Sequence, residues 1–389
     1  MTTKYTRIDD FFRDTIKQLQ EERSYRQTGS FFPSSVMDLT SNDYLALRSD
    51  PDFISAAASY IIKENIAFGS GGSRLLGGDF EMATCLEKDI AQALRKEDAL
   101  LFNSGYHANS GIIASLGNIP SLHIIADKLC HASMVDGIRL AKAPFARFRH
   151  NDIAHLEKLI LKHIDLGAKY ILLLAESIYS MDGDSAPLKD FIALKKKYPQ
   201  LLLYIDEAHA IGVRGEKGLG LAEEMNAFDD IDFLVGTFGK ALAGMGAYIA
   251  CSCAAKQYLI NTVRTLIFST MLPPAIVAWN RFIFTSLPSF SQKREKLKAL
   301  ILALREGLRT KGYPLTGDSH IIPLLTPGND RCLRCCEDLL ARGFGLKAIR
   351  VPTVPKGTER LRLSLHSGLS LEDIDRLLKA IPPFHTASL

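Results

Sequence analysis

At 389 residues the chain is longer than one hydrophobic core usually serves, which predicts two domains or one large domain with appendages. Its charge is nearly balanced, with 47 Lys and Arg against 43 Asp and Glu and a formal net charge of +4, which argues against a nucleic-acid-binding face and favours a small-molecule substrate. The two longest stretches without Asp, Glu, Lys or Arg, 99–126 and 265–280, are interrupted by polar residues or prolines, so neither is expected to span a membrane.

The first 45 residues are interpreted as an N-terminal arm. Their opening residues contain no apolar segment of the signal-peptide kind, so the expected compartment is the cytoplasm. Residues 7–26 place apolar side chains near i, i+3 and i+4 spacing, which predicts an amphipathic helix. A short strand at 36–39 follows.

From about residue 50 to 250, predicted helices and strands alternate. Such alternation favours an α/β fold with a largely parallel sheet covered by helices on both faces. We assign a large domain to 46–285 and a smaller α+β domain to 286–389. The predicted helices are 81–95, 107–116, 133–140, 152–165, 187–197 and 288–311, and the predicted strands are 98–102, 122–126, 169–174, 201–205, 232–236, 246–251, 320–325, 346–350 and 360–365.

Several candidate site residues follow predicted strands, where ligands of open α/β sheets bind. The turn Ser104-Gly105-Tyr106 precedes a helix, so its backbone N–H groups can hold a phosphate. His131 opens the helix after the next strand and can stack on a planar ring, although a histidine in that place is more often a cap or a core residue. Glu176 and Ser180 follow strand 169–174 and face the same crevice by topology.

The strongest chemical signal is an acid, an imidazole and a lysine after two buried strands. Asp206 ends the apolar run 201–205, His209 follows it, and Lys240 lies in a Thr-Phe-Gly-Lys turn after strand 232–236. Pyridoxal phosphate (PLP) needs an acid beside its pyridine nitrogen and a lysine that carries it covalently. The three residues therefore predict a PLP site, in which His209 can bond the cofactor's phenolate oxygen and Thr237 can bond its phosphate.

The last third of the chain offers two arginines and three cysteines. Arg360 and Arg362 share one face of a predicted strand, and an arginine facing the crevice suits a substrate carboxylate. A solvent-exposed strand face is the alternative, and it is the expectation for Arg360. Helical spacing around Cys332, Cys335 and Cys336 favours reduced thiols of a structural helix, and no second ligand pair suggests a metal site.

Together these motifs resemble the α-oxoamine synthases, fold-type I PLP enzymes that join an amino acid to an acyl thioester with loss of carbon dioxide. The resemblance covers essentially the whole chain. The matching segments are 41–45, 69–74, 104–106, 131–133, 180–184, 206–209, 237–240 and 268–274. It implies a PLP-dependent transferase fold with a mostly parallel, seven-stranded sheet.

The resemblance also implies roles that the residue patterns alone do not. Lys240 would act as general base, Asp206 would keep the cofactor ring protonated, and His131 would donate a hydrogen bond to the developing oxyanion or to the substrate carboxylate. A homodimer with shared active sites is implied as well, with Ser73, and Ser269 or Thr270, reaching the partner's cofactor. The implied substrate-binding residues are Arg26, Asn42, Thr353 and Arg362.

Within the family, the stretch 348–364 is most similar to members that join L-alanine to a pimeloyl thioester, in which the acyl carrier is CoA or a carrier protein. Members that use glycine and acetyl-CoA are one alternative, as are those that use serine or a longer acyl chain. A catalytically silent binding subunit is a second alternative, which the presence of Lys240, Asp206 and His131 disfavours. A dinucleotide-binding dehydrogenase is discounted because no Gly-x-Gly-x-x-Gly turn follows the first strand.

Overall fold

The fold alternates helices and strands through its middle and ends in a smaller helix-and-strand unit. A computed structural model describes residues 7–25, 28, 32–351 and 353–384. The helices α1 to α14 are, in chain order, Ile8–Glu21, Pro51–Lys63, Glu81–Ala93, Gly105–Leu116, Ala132–Leu140, Ile153–Asp165, Leu188–Lys197, Leu221–Glu224, Cys253–Thr262, Arg264–Ile267, Pro274–Ser286, Ser291–Thr310, Asn329–Ala341 and Leu371–Ala380. The strands β1 to β12 are Met37–Asp38, Asp98–Phe102, Leu122–Asp127, Phe145–Phe148, Tyr170–Glu176, Leu201–Asp206, Phe233–Thr237, Ala247–Cys251, Ile321–Leu325, Phe344–Gly345, Lys347–Ile349 and Arg360–Ser364.

A seven-stranded sheet of order β2-β8-β7-β6-β5-β3-β4 forms the centre of the molecule. Strand β8 runs antiparallel to both of its neighbours, and β7, β6, β5, β3 and β4 pair in parallel. Successive side chains of β5 point to opposite faces, so Leu173 belongs to one buried cluster and Leu172 and Leu174 to the other. The predicted fold class is confirmed: this is a mostly parallel sheet between two helical layers.

The strands of this sheet bring polar groups to a single edge. Asp127, Glu176, Asp206 and Thr237 are the last residues of β3, β5, β6 and β7, which are consecutive in the sheet. The register places Glu176 directly beside Asp206. Since parallel strands end at the same edge, this arrangement forms a polar crevice at the carboxyl end of the sheet.

A second, three-stranded sheet of order β11-β12-β9 is antiparallel and belongs to the C-terminal part of the chain. Helices α12 and α14 pack together in the same part. The arm joins it through a parallel pairing of β1 with β10. The proposed boundaries 1–45, 46–285 and 286–389 stay a prediction.

The structure contains elements that the sequence patterns did not predict. They are the strands β4 and β10 and the helices α2, α8, α9, α10, α11 and α14. Helix α11 starts at Pro274, in the Pro-Pro pair that looked like an interruption, because proline fits the first turn of a helix. Helix α14 begins with a capping box in which Ser370 and Asp373 satisfy each other's backbone N–H groups.

Two other sequence predictions concern the arm and the cysteines. The arm helix is confirmed as α1, and none of its residues is buried. The helix predicted around the cysteines is confirmed as α13, on which Cys332 is fully buried and Cys335 and Cys336 are partly buried, all three without a disulfide. Among the described residues, no helix combines the length and apolarity needed to cross a membrane.

Candidate active site

Asp206 lies in the crevice at the sheet edge and is held by a buried amide. Asn109, in the middle of α4, donates from Nδ2 to Asp206 Oδ2 at 2.8 Å, and Tyr204 donates its hydroxyl to Asn109 Oδ1 at 2.8 Å. The backbone N–H of Ala208 donates to the other Asp206 oxygen at 2.9 Å. Asp206 is thus oriented as a buried acceptor at the end of β6. Sequence analysis did not identify Asn109 as part of the site.

The same asparagine also sets the tautomer of His131, which caps the N-terminus of α5. Asn109 Nδ2 lies 3.0 Å from Ser133 Oγ, and Ser133 Oγ lies 2.8 Å from His131 Nδ1. The Ser133 backbone N–H donates to the same Nδ1 at 3.2 Å. Because Nδ1 accepts, the proton of the neutral ring belongs on Nε2. Burial lowers the pKa of His131, which favours this neutral donor form.

Lys240 is the start of a hydrogen-bond chain that reaches the arm. Its Nζ lies 2.9 Å from His209 Nε2, and His209 Nδ1 lies 2.7 Å from the hydroxyl of Tyr44. Tyr44 donates to Asn42 Oδ1 at 2.9 Å. A consistent proton assignment has the lysine amine donate to His209, whose own N–H donates to Tyr44. Tyr44 is a second residue of the site that sequence reasoning missed.

Burial and the neighbouring charges in the crevice change the pKa of Lys240. Burial lowers the pKa of Lys240 to about 8, although the carboxylates of Asp206 and Glu176 oppose that shift. Burial also holds the pKa of His209 well below its ordinary value, with Lys240 as a further cause, so His209 is neutral. About a tenth of a group with a pKa of 8 is neutral at pH 7, so Lys240 can act as a base near neutral pH.

This lowered pKa predicts how Lys240 responds to an amine-reactive acylating reagent in the cofactor-free protein. Only the neutral amine reacts, so labelling of Lys240 should rise about tenfold from pH 6 to 7 and reach half its maximum near pH 8. Peptide mass spectrometry across pH 6 to 11 measures it. Lys197 is an internal control, since the Glu157 carboxylate raises the pKa of that amine. A Lys240 profile that follows that of Lys197 would contradict the prediction.

Arg362, on β12, completes the crevice from the C-terminal sheet. Its Nε donates to the backbone carbonyl of Ser180 at 2.6 Å, and its Nη1 donates to Ser364 Oγ at 2.6 Å. Its Nη2 lies 3.2 Å from Asn42 Oδ1 and 3.3 Å from the Tyr44 hydroxyl. Only 8% of Arg362 is exposed, and no carboxylate of the described residues forms a salt bridge with it. A buried cation without an acid partner suits an anionic ligand.

Arg360, unlike Arg362, has an acid partner. The expectation that Arg360 is solvent-exposed is wrong. It is buried, and its guanidinium pairs with the carboxylate of Asp182 and contacts the Met181 carbonyl at 3.3 Å. The cause is the turn after β5, which covers this face of β12. Arg360 is therefore neutralised within the chain, and Arg362 is not.

The N-terminus of α4 has the geometry expected for a phosphate site. Ser104 caps the helix by accepting from the His107 backbone N–H at 3.1 Å. A Cβ built on Gly105 would meet nothing within 4 Å, so open space lies above the turn. Tyr106 is exposed, and its hydroxyl donates to Asp136 Oδ2 at 2.5 Å. Backbone N–H groups at this helix end are free to face an anion.

The Thr237 hydroxyl, which was expected to bind the phosphate, forms hydrogen bonds within the chain. It donates to the Gly246 carbonyl at 2.9 Å and accepts from the Gly239 backbone N–H at 3.2 Å. The single hydroxyl proton is therefore used to close the turn that carries Lys240. In this geometry Thr237 shapes the lysine turn and has no proton left for a phosphate.

The remaining candidate residues are distributed around the crevice. Glu176 is buried, its Oε1 has no hydrogen-bond partner, and burial raises its pKa to about 8, with Asp206 as a further cause. Ser73 has a buried hydroxyl without a partner, in the loop before α3. Thr353 lines a separate cleft beside Ser180. Arg26 lies outside the described residues.

These residues fit a PLP molecule. Asp206 would meet the ring nitrogen, Lys240 would carry the cofactor, and the turn at Ser104 and Gly105 would face the phosphate. The open space at Gly105 and the unpartnered Glu176 oxygen are the features that such a group would complete. When bound, PLP withdraws electrons from the bonds that break at the substrate's Cα.

Comparisons with known proteins agree with this geometry. A model of the aminotransferase class I and II family matches residues 34–381. A protein of Glaesserella parasuis, provisionally named 8-amino-7-oxononanoate synthase, is 47% identical over 89% of this chain and 91% of its own. A serine palmitoyltransferase from S. paucimobilis, solved with bound PLP and myriocin, is similar with a TM-score of 0.84 at 29% identity, over 97% of each chain. An 8-amino-7-oxononanoate synthase from Francisella tularensis has a TM-score of 0.76 at 28% identity, over 90% of this chain and 97% of its own.

Proposed function

Since the chain belongs to the aminotransferase class I and II family and, within it, to the α-oxoamine synthases, we propose that it condenses L-alanine with a pimeloyl thioester. The products would be 8-amino-7-oxononanoate, carbon dioxide and the free thiol of the acyl carrier, a step of biotin synthesis in the cytoplasm. The chain is a PLP-dependent enzyme. The names of its relatives support this choice of substrates.

One observation carries the assignment of the amino-acid site: the unpaired, buried Arg362 is linked by hydrogen bonds to Lys240. The links run through Tyr44 and His209, with Asn42 beside them. An α-amino acid has its carboxylate and its Cα proton close together. Arg362 would bind the carboxylate, and Lys240 would then remove the proton as general base.

His131 would act on the other reactant. Its Nε2–H is the donor that the tautomer assignment leaves free, and a neutral donor can stabilise the oxyanion that develops on the thioester carbonyl. The buried Asp206 would hold a proton at the cofactor's ring nitrogen.

The acyl chain would enter through a cleft of about 460 Å³ next to Arg362. The cleft shares Ser180 with the surroundings of Arg362, because the Ser180 carbonyl accepts from that arginine. Leu129 and Val354 supply apolar surface for a methylene chain, and Lys128 and Arg147 bring positive charge. A negatively charged acyl donor with an apolar chain fits such a lining.

The deciding experiment is a substrate panel on the purified holoenzyme. L-Alanine, glycine and L-serine are each combined with pimeloyl-CoA, acetyl-CoA or palmitoyl-CoA, while thiol release and the product mass are measured. Product from L-alanine and pimeloyl-CoA above all other pairs supports the proposal. Preference for glycine with acetyl-CoA, or for serine with palmitoyl-CoA, would move the chain to another branch of the family. Absence of turnover with every pair would favour the silent binding subunit.

The amino-acid site predicts a selective defect for Arg362→Gln. Loss of the charged hydrogen bond to the carboxylate should raise the KM for L-alanine by between about 10-fold and 100-fold, and PLP content should stay unchanged. Steady-state kinetics with both substrates varied, together with cofactor quantification, measures this. Arg360→Gln is the matched variant on the same face of β12. Because Arg360 is paired with Asp182 and lines the acyl cleft, that change should alter the acyl-donor KM more than the L-alanine KM.

A further inference from the structure

An imidazole between two carboxylates lies outside the roles assigned above. His150, in the loop after β4, has Nδ1 at 2.9 Å from Asp127 Oδ1 and Nε2 at 2.7 Å from Asp184 Oδ2. A carboxylate only accepts hydrogen bonds, so both ring nitrogens carry protons and His150 is an imidazolium. The two carboxylates raise the pKa of His150 to about 10 against the opposing effect of burial, which agrees with that assignment.

One end of this bridge is fixed by the central sheet. Asp127 is fully buried at the end of β3. Its Oδ1 also accepts from the Leu129 backbone N–H at 2.8 Å, and its Oδ2 accepts from the Asn151 backbone N–H at 3.0 Å. Asp127 is therefore held in place by several hydrogen bonds, and His150 binds to it on the side away from the sheet.

The other end of the bridge is the turn 180–184, which follows β5. Asp184 accepts from His150 and also from Asn151 Nδ2 at 2.9 Å. Gly183, with a φ of +68°, lies so close to β9 that a Cβ would come within 1.9 Å of the Ile321 carbonyl oxygen. The turn is thus wedged between the bridge and the C-terminal sheet.

The turn 180–184 also positions Arg362, the arginine proposed to bind the amino-acid carboxylate. The Ser180 carbonyl accepts from Arg362 Nε at 2.6 Å, and Asp182 pairs with the neighbouring Arg360. A shift of the turn would therefore rotate the guanidinium of Arg362. A bidentate carboxylate contact is sensitive to such a rotation because both of its hydrogen bonds depend on one plane.

We propose that His150 is a positioning residue for amino-acid binding, which holds Asp184 and so places the Ser180 carbonyl that orients Arg362. The inference rests on the proposed role of Arg362 as the carboxylate site. In this proposal, the affinity of Arg362 on β12 for the amino acid depends on the contacts of His150 with Asp127, at the end of β3, and with Asp184. His150 touches neither the cofactor position nor the substrate position in this scheme.

The test is His150→Gln in the holoenzyme, measured by spectral titration with L-alanine. The dissociation constant should rise roughly tenfold, the scale of one charged hydrogen bond, while kcat and PLP content change less than about twofold. Hydrogen–deuterium exchange of the peptide covering 177–186 should accelerate in the cofactor-free protein too. Asp184→Asn should reproduce both effects, and the double variant should be no worse than either single variant.

His155→Gln is the control, because His155 accepts from the Arg149 backbone N–H at 2.9 Å in the same loop region and does not contact the turn. Unchanged L-alanine affinity in His150→Gln and Asp184→Asn would overturn the inference. An equal loss of PLP content and kcat would also overturn it, since that pattern indicates a general structural role. If the wild-type protein binds no amino acid, the proposed function fails first; if it does and the variants bind equally well, only the role of His150 fails.

Discussion

Replacing Lys240 with alanine is expected to remove the absorption of the lysine-bound cofactor and to lower turnover by about 10⁴-fold, the upper range for a general base. Lys240 is the amine that lies 2.9 Å from His209 Nε2, and burial keeps its pKa near 8. The variant should still retain PLP without a covalent bond, because Asp206 and the N-terminus of α4 are unchanged. Absorption spectra, cofactor quantification and product formation together measure the three expectations.

Two comparisons sharpen that experiment. Lys195→Ala is a control of the same kind, since Lys195 is a partly buried lysine paired with Asp232 at 2.6 Å, away from the crevice. It should keep both the absorption and the turnover. Added methylamine should restore part of the turnover of Lys240→Ala if the missing group is an amine at the substrate's Cα. A lysine-bound cofactor that persists in Lys240→Ala would assign the attachment to another lysine.

The candidate residues that sequence analysis found are those whose position follows from local patterns. Asp206 and Glu176 end apolar runs, and the end of a parallel strand fixes where a side chain lies without knowledge of its neighbours. Lys240 follows β7 by three residues for the same reason. Asp127 ends β3 in the same way, and this signal was available in the sequence although it was not used.

The residues that sequence analysis missed depend on contacts between distant segments. Asn109 faces Asp206 from 97 positions away, and Tyr44 faces His209 from 165 positions away. Both lie in segments whose own pattern suggests a structural role, a buried helix for Asn109 and the end of the arm for Tyr44. No local spacing predicts a hydrogen bond between elements whose packing is not yet known.

The two arginines of β12 also show that a sequence pattern does not predict contacts with distant segments. Alternation correctly placed Arg360 and Arg362 on one face, which a period of two residues determines. It could not show that the turn 180–184 covers that face and supplies an acid to one arginine only. The distinction between a neutralised cation and a ligand-binding cation therefore came from the tertiary structure.

Asp206→Asn is expected to lower turnover by between about 10² and 10³-fold, with the fold preserved. The substitution keeps the size of the side chain, and its amide oxygen can still accept from Asn109 Nδ2. What it removes is the negative charge that holds a proton at the ring nitrogen, together with the oxygen that accepts from the Ala208 backbone N–H. The same charge also opposes the lowering of the Lys240 pKa, so its loss should move the labelling midpoint of Lys240 below pH 8 in the cofactor-free protein.

The matched control for this change lies at the opposite edge of the same sheet. Asp232 pairs with Lys195 and accepts from the Leu203 backbone N–H at 2.7 Å, so Asp232→Asn removes a partly buried charge without touching the crevice. It should leave the Lys240 labelling profile and the turnover close to those of the wild-type protein. If Asp206→Asn shifts neither quantity, the acid beside the ring nitrogen must be another residue. If both variants lose turnover equally, the effect reports on the stability of the sheet. A loss confined to Asp206→Asn, accompanied by the lower labelling midpoint, would assign to this one carboxylate both the ring-nitrogen proton and the tuning of the lysine.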